Sequence, residues 1–389
     1  MGVGSNNVKN VINNEWDLVY VLPNLRMEEP FESNFISITP YDDERLQKII
    51  LQNDWANKLL TGFRTETAEQ IEPCTLLLRK DAPESIKSVE SVVSFRNILA
   101  ISSLFHSCCR ALKSPNLFEP SYSDHFDFYP YILAKEGGFH SFTPAKRDLW
   151  LRPEKFFGQI YSHIPNFDSI KAKPDKMIAD RMLRQWKTRF ISPRKDTWKT
   201  RMLFRSLEVA YLALGNPFRH YSLYEHGTYL SLWVSAFEIL SHKKRDMDVH
   251  FSNVIDLLGK YKWVRNKWNK LNAKRYKIHR KKNKPRGNLV QKLYKELYKS
   301  RCDFLHGNPV KSSRLYPFRN EKLPHLINLA PIIFWVAISV YLNSMEKTKS
   351  RISNKSEILK STSELDYEEA LLLTKGIKLE DIYSGKRKK

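Results

Sequence analysis

The sequence is short of several features that would narrow its role at once. It has four cysteines, Cys74, Cys108, Cys109 and Cys302, with no CxxC pair among them. Neither a zinc site of the usual spacing nor a disulfide framework is suggested, and a reducing, cytoplasmic compartment is expected. The N-terminal MGVGSNNVKNVINNEWD holds no apolar run of signal-peptide length. No tandem repeat is visible. Acidic residues are scarce beside basic ones, 42 Asp and Glu against 65 Lys and Arg, for a formal net charge of +23. Such an excess points to an anionic partner: nucleic acid foremost, then a membrane surface or an acidic protein.

What is present is a chain of 389 residues, 42% hydrophobic and 12% aromatic, long enough for two ordinary domains with substantial cores. One run, LINLAPIIFWVAISVYLNSM from Leu326 to Met345, carries no charge and approaches the length of a bilayer-crossing helix. Asn328, Pro331, Ser339 and Asn343 interrupt it, and no comparable run accompanies it. It reads as a buried helix of a large helical core, and no membrane association is expected.

The fold class expected is mainly α, with an α+β region over residues 1–200 and a helical domain over 201–345, followed by a charged tail, 346–389. DLVYVL and CTLLLRK read as strands and DDERLQKIILQNDWANKLL as a helix. Residues 82–114 read as one long helix opened by Pro83. Asp124, His125 and Asp127 on an aromatic loop read as turn formers rather than metal ligands. From Arg201 onward helical periodicity dominates. GTYLSLWVSAFEILSH is apolar nearly all round and predicts a central helix, and DYEEALLLTKGIKLEDIY in the tail predicts a short docking helix.

Residues 265–287, RNKWNKLNAKRYKIHRKKNKPRG, form a basic insertion in which eleven of 23 residues are Lys or Arg and none is acidic. Counterion release would favour its binding to a polyanion, and its aromatics suit stacking on unpaired bases. The candidate RNA-binding residues are Arg265, Lys267, Trp268, Lys270, Lys274, Arg275, Tyr276, Lys277, Arg280, Lys281 and Lys282. A solvated basic loop is the plainer alternative.

The next segment, NLVQKLYKELYKSRCDFLHGNP, opens with Asn288 and Gln291 at capping-box spacing and stops at Gly307, Asn308 and Pro309. At 100° per residue Val290, Tyr294, Leu297, Arg301 and Leu305 share one stripe. A guanidinium on an apolar stripe needs a partner or a task. Glu238, the one charged residue between Gly227 and Ser241, is the natural candidate partner. His306 stands about 140° from Arg301 in projection, and Gly307 lets the last turn loosen. Helix carbonyls there favour a cation, which suits His306 to accepting a proton.

LYKSRCDFLHGNP resembles the Arg-x4-6-His signature of the HEPN superfamily, and its LY..R...LHG setting is similar to the Apea-like branch. WVSAFEIL resembles that branch's second helix, with a glutamate in an apolar run. The bare pattern also occurs at Arg219 and His226, Arg245 and His250, and Arg319 and His325, but only Arg301 and His306 end a capped amphipathic helix. Cys302 stands where Asn, Asp or His is commoner, with Asp303 one place later. The resemblance implies a helical bundle and metal-independent RNA cleavage with no cofactor, Arg301, His306 and Glu238 catalytic and Cys302 and Asp303 supporting. It also implies a homodimer paired through the motif helix, and a setting in bacterial or phage defence. Two other readings of the same residues stand beside it: RNA binding without cleavage, and a membrane-associated scaffold using Leu326 to Met345.

Overall fold

A computed structural model describes residues 15–63, 69–114, 121–129, 131–133, 139–141, 172–215, 223–243, 248–263, 276–278, 286–346 and 362–373. The protein is mainly helical with a small antiparallel sheet near the N-terminus. It divides into two compact units, one of residues 1–87 with 127–171 and one of 88–126 with 172–389. The division therefore does not fall at residue 200, where the change in periodicity had placed it.

In the first unit, β1 (Trp16–Leu22), β2 (Phe31–Ser33), β3 (Ile36–Thr39), α1 (Glu44–Gln52), α2 (Asp54–Thr61), β4 (Cys74–Arg79) and α3 (Glu84–Lys87) follow in order, with a short hairpin of β5 (Tyr131–Leu133) and β6 (Phe139–Ser141). The sheet order is β1-β4-β3-β2, antiparallel throughout. The two predicted strands are thus neighbours, Trp16 opposite Arg79 and Leu22 opposite Cys74. Leu18 and Val21 from β1 and Leu77 from β4 pack with Ile49, Leu59, Phe63 and Tyr129 into one apolar cluster. The single helix expected over 42–60 breaks at Asn53, whose extended backbone turns α1 into α2.

The second unit is all helix: α4 (Val89–Lys113), α5 (Lys176–Trp186), α6 (Trp198–Ala213), α7 (Leu223–Ser241), α8 (Phe251–Leu258), α9 (Leu289–Leu305), α10 (Leu326–Glu346) and α11 (Thr362–Leu373). The long helix expected over 82–114 begins at Val89 instead, because the Ser88 side chain accepts a hydrogen bond from the Ser91 amide and caps it there. Being buried along most of its length, α4 belongs with the C-terminal helices rather than with the sheet.

Among the described residues two helices are long and apolar enough to cross a bilayer, α4 and α10, and both are mostly buried in this unit. Phe334 of α10 marks its centre, with ring contacts to Phe105 of α4 and to Trp233 and Phe237 of α7. Phe237 passes the packing on to Tyr294 of α9, ring centroids 5.0 Å apart. The tail contributes to this core: Tyr367 of α11 lies 4.4 Å from the Trp335 ring, and Lys113 binds both Asp366 and Glu369.

Candidate functional site

The site is built on α9, whose N-terminus is fixed as its sequence dictates. Asn288 Oδ1 accepts from the Gln291 amide at 2.9 Å, and Gln291 Oε1 accepts from the Asn288 amide at 2.8 Å, closing the capping box. Gln291 also donates to the carbonyl of Ile255 on α8. At the other end Gly307 adopts a left-handed φ of +67° and the Asn308 amide reaches back to the Asp303 carbonyl, the wrap of a Schellman motif.

Phe237 meets Tyr294 and Gly227 meets Phe304, so α7 and α9 run antiparallel. Along the apolar stripe Val290, Tyr294 and Leu297 are buried, Arg301 is half-buried and Leu305 is 56% exposed. Leu305 thus departs from its expected place on a buried stripe. The reason is that α9 outruns its neighbour: Phe304 already lies on Gly227, close to where α7 begins.

Side chains on a helix lean toward its N-terminus, so on antiparallel helices a residue near the end of each leans back along the partner. Glu238 and Arg301 are such a pair. Burial raises the proton affinity of the half-buried Glu238 carboxyl, and the Arg301 charge pulls it back down. Among the described residues they form no direct ion pair. The Arg301 Nε and the Tyr294 hydroxyl are both buried, and among the described residues neither has a hydrogen-bond partner. Burial and then Glu238 push the Tyr294 phenol well above its usual range, with Arg301 opposing. Tyr298 completes the group, its ring 6.0 Å from the Arg301 guanidinium carbon and its phenol raised by burial and by Cys302. Two donors without acceptors among the described residues, one on a permanently charged group, lie within electrostatic reach of one carboxyl.

His306 lies apart from this group. It caps α9, is exposed, and among the described residues its imidazole makes no hydrogen bond or ion pair. Asp303, assigned a supporting role from the sequence, is engaged elsewhere: Arg314 Nε lies 2.6 Å from its carboxylate, and Arg314 also approaches Glu296. Its place is in holding the helix end.

Of the basic insertion, Tyr276 and Lys277 are described; Arg265, Lys267, Trp268, Lys270, Lys274, Arg275, Arg280, Lys281 and Lys282 lie outside the described residues. Tyr276 and Gly287 exchange backbone hydrogen bonds of 3.0 and 2.8 Å, and the Lys277 carbonyl accepts from Lys295 of α9.

Sequence reading missed a histidine pair at the same end of the helices. His226, in the first turns of α7, and His325, just before α10, have ring centroids 5.1 Å apart, with Tyr316 against His325. Burial and the His226 neighbour hold His325 down to about 4. Both residues match the bare Arg-x4-6-His pattern but do not end a capped amphipathic helix. Their apposition depends on three helix ends meeting.

Compared with models of protein families, with curated proteins and with solved structures, the chain matches none.

Proposed function

We propose that the protein is a metal-independent endoribonuclease of HEPN type, acting as a homodimer on RNA. The observation that carries this reading is the Arg301 guanidinium, whose buried Nε, like the Tyr294 hydroxyl within its electrostatic reach, lacks a hydrogen-bond partner among the described residues. A phosphodiester bears the oxygens that such donors take. In this scheme His306 removes the proton from a ribose 2′-OH and the 2′-oxygen attacks the adjacent phosphorus. Negative charge gathers on the equatorial oxygens, where Arg301 meets it. The bond to the 5′-oxygen breaks, and that oxygen takes a proton from the His306 of the second copy. The products are a 2′,3′-cyclic phosphate and a 5′-hydroxyl. The Glu238 carboxyl, within electrostatic reach of the guanidinium, offsets its charge without a direct ion pair, and the exposed Leu305 beside His306 supplies apolar surface for the two-fold contact. A role in defence rests on the HEPN resemblance alone.

One observation favours a second reading, RNA binding without cleavage: within a single chain His306 is exposed at the end of α9 while Arg301 is half-buried within electrostatic reach of Glu238. Mapping the ends left on cellular RNA in EDTA separates the two. Cyclic phosphate ends made without magnesium support the nuclease, and cleavage that requires magnesium contradicts it.

A further inference from the structure

α9 carries three lysines, one arginine and two carboxylates, and the carboxylates are spoken for. Glu296 binds Lys292 and is approached by Arg314 at 3.8 Å, while Asp303 binds Arg314 at 2.6 Å. Lys292 is further held over the Phe318 ring. Lys295 and Lys299 remain, and among the described residues neither has an ion-pair partner. Lys295 is half-buried, and its ammonium donates to the Lys277 carbonyl, which roots the basic insertion directly beside it. Burial, then Lys299 and Lys292, and in smaller part Lys277, lower its proton affinity, with Glu296 opposing. Positive charge is concentrated here against its own repulsion.

The helix geometry gives this cluster a direction. Lys299 and His306 are seven residues apart and fall within about 20° of each other in projection, while Lys295 and Lys299 fall within about 40°. Arg301 lies on nearly the opposite side of α9. Lys295 and Lys299 are separated by about 6 Å along the axis, of the order of one nucleotide step in an extended strand. The lysine face therefore runs to His306, not to Arg301.

We propose that Lys295, Lys299 and Lys277 form a phosphate track that leads a single strand of RNA along α9 to the His306 imidazole. The inference rests on RNA being the ligand, and it deepens that reading by naming the strand's path and form. A single strand fits because a paired A-form nucleotide holds its 2′-oxygen out of line with the leaving 5′-oxygen. Unpaired segments are also the usual targets of protein recognition on RNA.

The test measures binding of a fluorescein-labelled twelve-residue 2′-O-methyl oligouridylate, which 2′-OH attack cannot cut, across a salt series. For the double variant Lys295→Gln, Lys299→Gln, affinity at low salt falls about tenfold, and the slope of log K against log salt becomes shallower by about 1.4, two contacts at about 0.7 each. The double variant Lys295→Arg, Lys299→Arg keeps the parent's affinity and slope, and all three proteins melt alike. Parent-like binding by the Gln variant overturns the proposal, as does failure of the Arg variant to restore binding. If the parent binds the probe and the Gln variant does not, yet no protein cuts unmodified RNA, the track stands and the nuclease reading falls. If the parent does not bind the probe at all, the track falls with the RNA reading.

Discussion

Glu238 of α7 and Arg301 of α9 lie offset along an antiparallel helix pair, near enough for the guanidinium to counter the effect of burial on the carboxyl, yet without a direct ion pair among the described residues. Burial is the larger influence, so the folded chain holds the Glu238 proton more tightly than the unfolded chain does. Stability is therefore lost as pH climbs from the ordinary glutamate value of 4.5 through the raised one. Glu238→Gln removes that loss. Its melting temperature, relative to the parent's, should rise with pH through this window and then level off. A Gln variant less stable than the parent at neutral pH would mean that the carboxylate is a net stabilising partner.

Gly307 turns the chain at φ +67°, with nothing among the described residues within 4 Å of where a Cβ would stand, so substitution there tests backbone conformation. Gly307→Ala should cost about 1 kcal/mol, and Gly307→Asn less, because asparagine tolerates the left-handed region. Since His306 is the preceding residue, cleavage by the Ala variant should fall on the order of tenfold to a hundredfold, more than its stability loss explains. Parallel melting and cleavage assays of the two variants decide it.

Gly227 allows α7 and α9 to touch. A Cβ there would lie 2.6 Å from Phe304 Cδ1 and 2.7 Å from Cγ, near the root of a side chain with little freedom to move. Gly227→Ala gains up to about 1 kcal/mol of helix propensity but incurs about 1–3 kcal/mol of overpacking. Net destabilisation is expected in chemical denaturation, relieved by Phe304→Ala in the same chain.

One ammonium, that of Lys113, binds two carboxylates of the tail helix α11. Burial alone would lower the Lys113 pKa, but its bonds to Asp366 and Glu369 overcome that and raise it above 10.5. That contribution is present in full below the ordinary lysine value and is lost as pH rises through the higher folded one. Lys113→Met takes this cation from the buried Glu369 and should cost about 2 kcal/mol at neutral pH, less than for a fully buried pair. The deficit should shrink in alkali. Urea unfolding at both pH values measures it.

Short-range signals in the sequence served best. The capping box at Asn288 and Gln291, the stop at Gly307, the helix running through Glu238 and the docking helix in the tail all follow from residues within a few positions of one another. Breaks at Asn53 and Ser88 were missed because periodicity continues across them while a single side chain or backbone angle interrupts the helix. The unit boundary was not legible because the partners of α4 lie far along the chain, from Trp186, which donates to the Ser91 carbonyl 95 residues away, to Glu369, 256 residues from Lys113. Arg301 declared itself as a charge on an apolar stripe, and Glu238 as a lone acid in an apolar run. The roles of Tyr294 and Tyr298 did not show, since an aromatic on a core stripe reads the same whether or not its hydroxyl is satisfied. The meeting of His226 with His325 is likewise invisible until three helix ends are placed together.

The most direct test of the central claim is cleavage of cellular RNA in EDTA by the parent, Arg301→Ala and His306→Ala proteins, with binding of the 2′-O-methyl probe measured alongside. The account predicts 2′,3′-cyclic phosphate ends from the parent, and cleavage reduced on the order of a hundredfold or more in each variant, with His306→Ala binding the probe as the parent does. Equal cleavage by all three proteins would contradict it.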